Sequence, residues 1–178
     1  MRTCLLMLVL ATPALALAQS SDPLASCGPD NTFFKVTLDK TQHTALPVDP
    51  GKARVYFVQD SGTTKVGMDG AWVGANDKSS WFSVPIEPGE HHICTSYNSA
   101  SIMRQPAGSY ELTKFTAEAG KSYYFRIRIF WEYNGNIYVP LIQIGMTNSD
   151  QALLMISSYP LSVSTPTVQK KFRYSQRP

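Results

Sequence analysis

The segment "KSYYFRIRIFW", residues 121–131, has the clearest alternation of apolar and polar positions in the chain. Successive side chains of a β-strand point to opposite sides, so this pattern predicts a strand with a core face and a largely solvated face. The predicted core face carries Phe125, Ile127, Ile129 and Trp131. The opposite face carries Arg126 and Arg128, with Tyr124 and Phe130 at its ends. The segment is therefore predicted to form one wall of a layered β-structure.

A second segment, "KARVYFVQD" at residues 52–60, is apolar on both faces. Val55 and Phe57 would lie on one face, and Tyr56 and Val58 on the other. β-Branched and aromatic residues favour strands, and a strand with two apolar faces has to be covered on both sides. We therefore predict that this strand lies in the interior of a sheet.

Turn sequences separate the apolar runs. The pair Asp69-Gly70 predicts a tight hairpin, because Gly adopts a positive φ without a Cβ clash. The "EPGE" turn precedes the strand candidate "HHICTSY", and "NGN" at 134–136 predicts a further hairpin. Pro140 follows it and has no backbone N–H, so its strand is expected at a sheet edge or at a bulge.

One helix is predicted, in "NSDQALLMISS" at residues 148–158. Ser149 is the candidate N-cap, Asp150 complements the positive helix N-terminus, and Pro160 ends the segment. Its apolar stripe is formed by Ala152, Leu153, Leu154 and Ile156.

About eight strands with regular turn sequences, and no alternation of strands with helices, predict an all-β fold. We predict an antiparallel β-sandwich of immunoglobulin-like or transthyretin-like kind with one short C-terminal helix. Residues 19–50 would be an N-terminal linker and first strand, with the strand itself at 31–39. Residues 51–162 would be the sandwich, and 163–178 a basic flexible tail. The charges of this tail are Lys170, Lys171, Arg173 and Arg177.

The N-terminus has the organisation of a secretory signal peptide. Arg2 precedes an apolar run, and an A-x-A site predicts cleavage between Ala18 and Gln19. Residues 1–18 would be removed, and the mature protein of about 160 residues would be exported to the periplasm, the cell envelope or the exterior. No second apolar run is long enough to span a bilayer. The net charge of +3 favours no nucleic-acid partner.

Two cysteines, Cys27 and Cys94, remain after removal of the predicted signal peptide. In an exported protein such a pair favours a disulfide, which would stabilise the fold by about 4 kcal/mol for a loop of this length. A second interpretation stays open. The sequence "LASC" ending at Cys27 has the form of a lipobox, so Cys27 could instead carry a lipid anchor.

The segments "PGKARVYFVQ", "GMDGAWVGA", "FSVPIEPGEHHIC" and "FTAEAGKSYYFRIR" resemble, in this order, the domain of unknown function 2846 (DUF2846) family of bacterial envelope proteins. The resemblance extends over about residues 51–129 and on through the predicted helix to Ser162. It implies an exported β-sandwich, but no catalytic residues. Many members carry a lipidated Cys directly after the signal sequence, and this chain departs from that pattern. The "DG-x-x-VG" hairpin is also similar to PEGA modules, which implies a carbohydrate-associated or surface-associated role.

The segment "EHHIC" contains four potential metal ligands. On a strand, Glu90, His92 and Cys94 would share one face, and His91 would lie on the other beside Ile93. The two histidines therefore cannot bind one ion together, and the spacing matches no closed zinc motif. A metal-dependent enzyme around His91 and His92 is an alternative, with Glu90 and His92 as ligands; no cofactor is predicted.

The sequence lacks the motifs of the common hydrolases and phosphate-binding loops, so no catalytic residues are predicted. Aromatic residues near hairpin tips predict a surface for a glycan or for an envelope protein. They are Trp72, Trp131, Tyr133 and Tyr138. We therefore expect an exported, non-enzymatic binding or structural module, and as the first alternative a domain that contacts carbohydrate or peptidoglycan.

Overall fold

The computed structural model describes residues 27–99 and 110–168. The predicted signal peptide and its cleavage site at Ala18 and Gln19 lie outside the described residues, as do the basic residues of the predicted tail.

The described residues form ten strands and one helix. In chain order they are β1 (Thr32–Asp39), β2 (Ala53–Gln59), β3 (Thr63–Met68), β4 (Ala71–Asp77), β5 (Ser80–Ile86), β6 (Gly89–Tyr97), β7 (Tyr110–Ala117), β8 (Ser122–Tyr133), β9 (Tyr138–Met146), α1 (Ser149–Ser158) and β10 (Leu161–Val168). No helix among the residues described here has the length and apolar character needed to cross a membrane.

Two sheets form the layers of the predicted sandwich. The larger sheet has the strand order β1-β10-β5-β2-β8-β9, and the smaller has the order β4-β3-β6-β7. The predicted all-β sandwich with one short C-terminal helix is confirmed. Its strands are mostly antiparallel, as predicted, but β2 pairs with β8 and β10 with β5 in parallel. Alternation along one strand reports which side chains share a face, and it contains no information on the direction of the neighbouring strand.

The interior position predicted for β2 is confirmed, since β2 lies between β5 and β8. Val55 and Phe57 point into the core between the sheets, where they pack with residues such as Phe125 and Ile127 of β8. The opposite face of β2, with Tyr56 and Val58, belongs to a second apolar cluster. That cluster also contains Trp81, Met155 and Ile156, so α1 covers the outer face of the larger sheet.

The cap of α1 is one residue earlier than predicted. Asn148, not Ser149, has extended backbone angles, and its side chain accepts a hydrogen bond from the N–H of Gln151 at 2.8 Å. Asp150 lies in the first turn as predicted, where its charge complements the helix N-terminus. Asn and Ser are about equally good N-caps, so the sequence "NSD" did not distinguish them.

The boundary predicted at residue 162 is wrong. β10 continues to Val168 and pairs antiparallel with β1 from Leu161↔Asp39 to Val168↔Thr32. Residues 163–168 therefore belong to the sandwich and not to a tail, and β1 is an integral strand of the larger sheet. Polar residues and Pro166 make β10 resemble a loop in sequence. Pro166 is tolerated because β10 pairs with β5 only at Leu161, so its other side has no strand that needs a backbone N–H from Pro166.

The predicted hairpins are present. Asp69 and Gly70 have φ values of 51° and 88°, as a tight turn with two left-handed residues requires. β8 and β9 form a hairpin around residues 134–137, and β9 is the edge strand that Pro140 predicted.

Candidate functional site

The β8–β9 hairpin extends beyond the rest of the larger sheet. β2 pairs with β8 only from Arg54↔Ser122 to Gln59↔Ile127, whereas β9 accompanies β8 as far as Tyr133↔Tyr138. We call the part of the hairpin formed by residues 128–133 and 138–143 the overhang. A two-stranded ribbon of this kind exposes both of its faces unless another layer covers it.

Three aromatic side chains share one face of the overhang. Trp131 is 64% exposed, Tyr133 58% and Tyr138 65%. Tyr133 lies directly opposite Tyr138, and their ring centroids are 5.2 Å apart. The hydroxyl of Tyr133 donates to the carbonyl of Gly135 at 2.8 Å, which holds this ring at the tip of the hairpin. The overhang therefore presents a continuous aromatic surface.

This surface continues the core face of β8. Phe125 and Ile127 are fully buried, and Trp131 follows them on the same side of the strand. Trp131 therefore points to the predicted side of β8. It is exposed, however, and does not belong to the core as that side of the strand was predicted to do. Alternation fixes the side to which a residue points, but it does not show how far the opposite layer extends.

Trp72, the fourth predicted aromatic, lies elsewhere. Its indole N–H donates to the carbonyl of Pro29 at 2.8 Å, and its ring lies 4.0 Å from the ammonium of Lys65. A side chain at Gly28 would collide with this ring and with the backbone of Trp72. Trp72 therefore anchors the segment that precedes β1, and the structure does not bring it together with the overhang.

An open pocket of about 290 Å³ lies beside the start of the overhang. Asp60 and Ser61, from the turn after β2, form one side of it; the overhang supplies the rest, with Arg128, Ile129, Phe130 and Gln143. The Asp60 carboxylate accepts two hydrogen bonds from Arg126, at 2.9 and 2.7 Å. Arg128 donates to the Gln143 side chain at 2.7 Å. Sequence reasoning missed this pocket, because its two sides are distant in the chain.

The histidines lie on opposite faces of β6, as alternation predicted. The side chain of His91 is 12% exposed and that of His92 is 45% exposed. His91 Nδ1 lies 2.6 Å from the Asp69 carboxylate, and Nε2 lies 2.8 Å from the carbonyl oxygen of Glu87. Both ring nitrogens of His91 therefore face acceptors, which leaves neither lone pair free for a metal ion or for general base catalysis.

The proposed ligand pair Glu90 and His92 has no third member. His92 Nε2 and Glu90 Oε1 are 3.8 Å apart, and the other carboxylate oxygen of Glu90 lies 3.4 Å from the Lys114 ammonium. Cys94 is not available, because its sulfur is bonded to Cys27. Across residues 27–99 and 110–168, no three His, Cys, Asp or Glu side chains come together as a metal site requires. The geometry thus gives the metal alternative no support.

The pKa of His91 reflects its contacts. Burial acts to lower this pKa, but hydrogen bonds to Asp69 and to the Glu87 carbonyl, together with the Asp69 charge, raise it above the usual value of 6.5. The charged imidazolium donates to both acceptors, whereas the neutral ring can donate to only one. The contact of His91 with Asp69 therefore fixes the Asp69-Gly70 hairpin to β6, and protonation of the ring strengthens it.

The predicted disulfide is present between Cys27 and Cys94, whose Cα atoms are 5.2 Å apart. It joins the segment before β1 to β6 of the smaller sheet. A sulfur atom that is bonded to another cysteine cannot carry a lipid thioether at the same time. The disulfide therefore supports the first of the two interpretations of Cys27.

Lys65 is a buried charge that the sequence did not indicate. It is 1% exposed, and its ammonium donates to the carbonyl of Thr32 at 2.8 Å. The rings of Phe33 and Trp72 lie 4.9 and 4.0 Å from the same ammonium. Burial lowers the pKa of Lys65 to about 8, although the charge of Asp30 acts in the opposite direction. With the disulfide, this contact attaches the start of β1 to the smaller sheet.

The chain matches no known family profile, no curated protein and no solved structure. The resemblance to the DUF2846 family and to PEGA modules therefore stays a prediction.

Proposed function

We propose that the mature protein is an exported, non-catalytic binding module of the bacterial cell envelope, and that the overhang contacts a glycan. The observation that carries this proposal is the exposure of three aromatic rings on one face of the overhang. Soluble proteins rarely expose such a group of large apolar side chains without a partner. The disulfide is compatible with export, because disulfides persist in oxidising compartments.

A glycan suits this surface better than a purely apolar ligand does. Aromatic rings offer flat apolar faces for the C–H side of a sugar, and the tyrosine hydroxyls offer hydrogen bonds at the rim. Side chains on neighbouring strands, or two residues apart on one strand, are separated by roughly 5–7 Å. Trp131, Tyr133 and Tyr138 therefore form a platform that can contact successive sugar rings of a chain.

Purified peptidoglycan and soluble chito-oligosaccharides are suitable first probes, with binding measured by co-sedimentation and by tryptophan fluorescence. Trp81 is buried, so ligand-dependent quenching is expected from Trp131. We expect Trp131→Ala and Tyr138→Ala each to weaken binding about five- to thirtyfold, since ring–ligand stacking contributes about 1–2 kcal/mol. The thermal unfolding temperature should remain unchanged, because both rings are exposed.

Leu154→Ala is the matched control, since Leu154 is an equally exposed apolar residue on α1. This variant should bind like the parent protein. Retained affinity in Trp131→Ala, or no binding of either probe at millimolar concentration, would exclude a glycan role for the overhang and leave a structural or protein-binding module.

A further inference from the structure

The edge of β8 that faces β2 is open over the second half of the strand. The pairing of β2 with β8 ends at Gln59↔Ile127, and the chain then turns towards β3 in the other sheet. From residue 128 onwards, β8 pairs with β9 alone. Backbone N–H and C=O groups of a strand alternate between its two sides, so about half of those in 128–133 point to the position that β2 has left. We call this side of 128–133 the open edge.

Two other strand edges, those of β1 and β4, are protected by side chains that cross from the opposite sheet. Next to β6, the side-chain amide of Asn98 accepts from the Phe34 N–H at 2.8 Å and donates to the Phe34 carbonyl at 2.9 Å on β1. On β4, the Ala75 N–H donates to Ser164 at 3.2 Å, and the Ala75 carbonyl accepts from Ser162 at 2.6 Å. Such protection is typical of natural β-proteins, because a bare edge recruits other strands.

The open edge has no such protection within the described part of the chain. No side chain that crosses from the smaller sheet donates to its backbone or accepts from it, in contrast to β1 and β4. It is also free of Pro, which lies on the partner strand at Pro140. The described residues therefore leave this side of the strand without the protection seen at β1 and β4.

The charge beside the open edge favours an acidic partner. In the pocket at its start, Asp60 is already paired with Arg126. Arg128 is exposed, its described partner is the neutral side chain of Gln143, and no described carboxylate lies within 4.0 Å of it. Two guanidinium groups thus face one carboxylate, which leaves one positive charge without a counter-ion from the protein.

We propose that the open edge binds an extended peptide segment of a partner protein, which adds a strand beside residues 128–133 and places an Asp or Glu side chain against Arg128. Main-chain hydrogen bonds would supply most of the affinity, as in other cases of strand addition. Alternate side chains of the peptide would lie beside Trp131 on one face and beside Phe130 on the other. This proposal uses the strand edge and not the aromatic face, so it does not depend on glycan binding.

The test uses the mature, disulfide-bonded protein and the peptide acetyl-Thr-Val-Glu-Val-Thr-Lys-amide as the probe. We expect a dissociation constant of roughly 0.1–1 mM, because the peptide is short and unoptimised. Amide hydrogen exchange should slow at alternate residues of 128–133 and stay unchanged in β1. The same peptide with N-methyl groups on every backbone amide, so that neither edge can donate, should not bind.

Charge variants test the acidic contact. Arg128→Gln should weaken binding of the Glu peptide about tenfold, and Arg128→Lys should restore part of the loss. Neither variant should change the affinity for a peptide that has Gln in place of Glu. Lys35→Gln is the matched control, because it removes the same charge from β1 at the opposite edge of the sheet.

Three results would overturn the proposal. One is no binding of the probe at concentrations up to about 5 mM. The others are exchange protection at an edge other than 128–133 and equal binding of the N-methylated peptide. An equal effect of Arg128→Gln on the Glu and Gln peptides would overturn the assignment of an acidic partner.

Discussion

At the scale of single residues, the pair of His91 and Asp69 couples stability to pH. Contacts in the folded state raise the pKa of His91 above its usual value of 6.5, so the folded protein holds this proton more tightly than the unfolded chain. The stabilisation that the protonated His91 contributes is complete below the pKa of this residue in the unfolded chain. It is lost as the pH rises through the pKa of His91 in the folded protein. We therefore expect the free energy of unfolding to fall as the pH rises through this window.

Asp69→Asn tests this coupling by urea unfolding at a series of pH values, with NMR titration of His91. Asn accepts the N–H of His92 as Asp69 does and tolerates the left-handed backbone at this position, but it removes the charge. The variant should lose stability at pH 6 and approach the parent at high pH, with a lower pKa for His91. His92→Gln, on the exposed face, should leave the pH dependence in place. A parent protein with flat stability from pH 5 to about 8 would contradict the coupling.

At the scale of elements, alternation predicted the strands best where burial is strongest. The two apolar faces of β2 and the core face of β8 followed from their sequences, since each face is covered by a neighbouring layer. The parallel pairing of β2 with β8 and the exposure of the overhang did not follow, because they depend on which distant strands lie alongside. The pocket beside Arg128 was missed for the same reason.

β10 shows why a polar segment can be an essential strand. Its residues Ser162 and Ser164 hydrogen-bond the two backbone groups of Ala75 on β4, so their polarity has a partner that only the folded molecule provides. We expect Ser162→Ala with Ser164→Ala to lower the free energy of unfolding by about 2 kcal/mol, since each change leaves a backbone group of Ala75 unsatisfied. Urea unfolding measures this loss.

Ser157→Ala with Ser158→Ala is the control for this pair, because both hydroxyls are exposed and donate to a carbonyl within α1. Its effect should stay within about 0.5 kcal/mol. An equally small effect in the β10 variant would mean that water replaces both serine hydroxyls at the edge of β4.

At the scale of the whole molecule, the N-terminal segment is attached to the smaller sheet while β1 pairs in the larger one. The Cys27–Cys94 disulfide closes a loop with a sequence separation of 67 residues. Nearby, Lys65 holds Thr32, and Trp72 holds Pro29. The disulfide therefore joins the two layers through the start of β1, and it restricts the unfolded chain more than a short loop would.

The predicted cleavage site and the disulfide together predict a mature protein that begins at Gln19 and is two hydrogens lighter than its reduced form by intact mass spectrometry. Replacing both cysteines by Ser should lower the free energy of unfolding by about 4 kcal/mol, which urea unfolding can measure. Replacing only Cys27 should cost a similar amount and leave Cys94 as a buried thiol. A mature chain that begins at an acylated Cys27 would contradict the disulfide, because the lipid and the bond to Cys94 require the same sulfur atom. In that case the N-terminal segment would be fixed to a membrane, and Lys65 and Trp72 would hold it to the sandwich without a covalent bond.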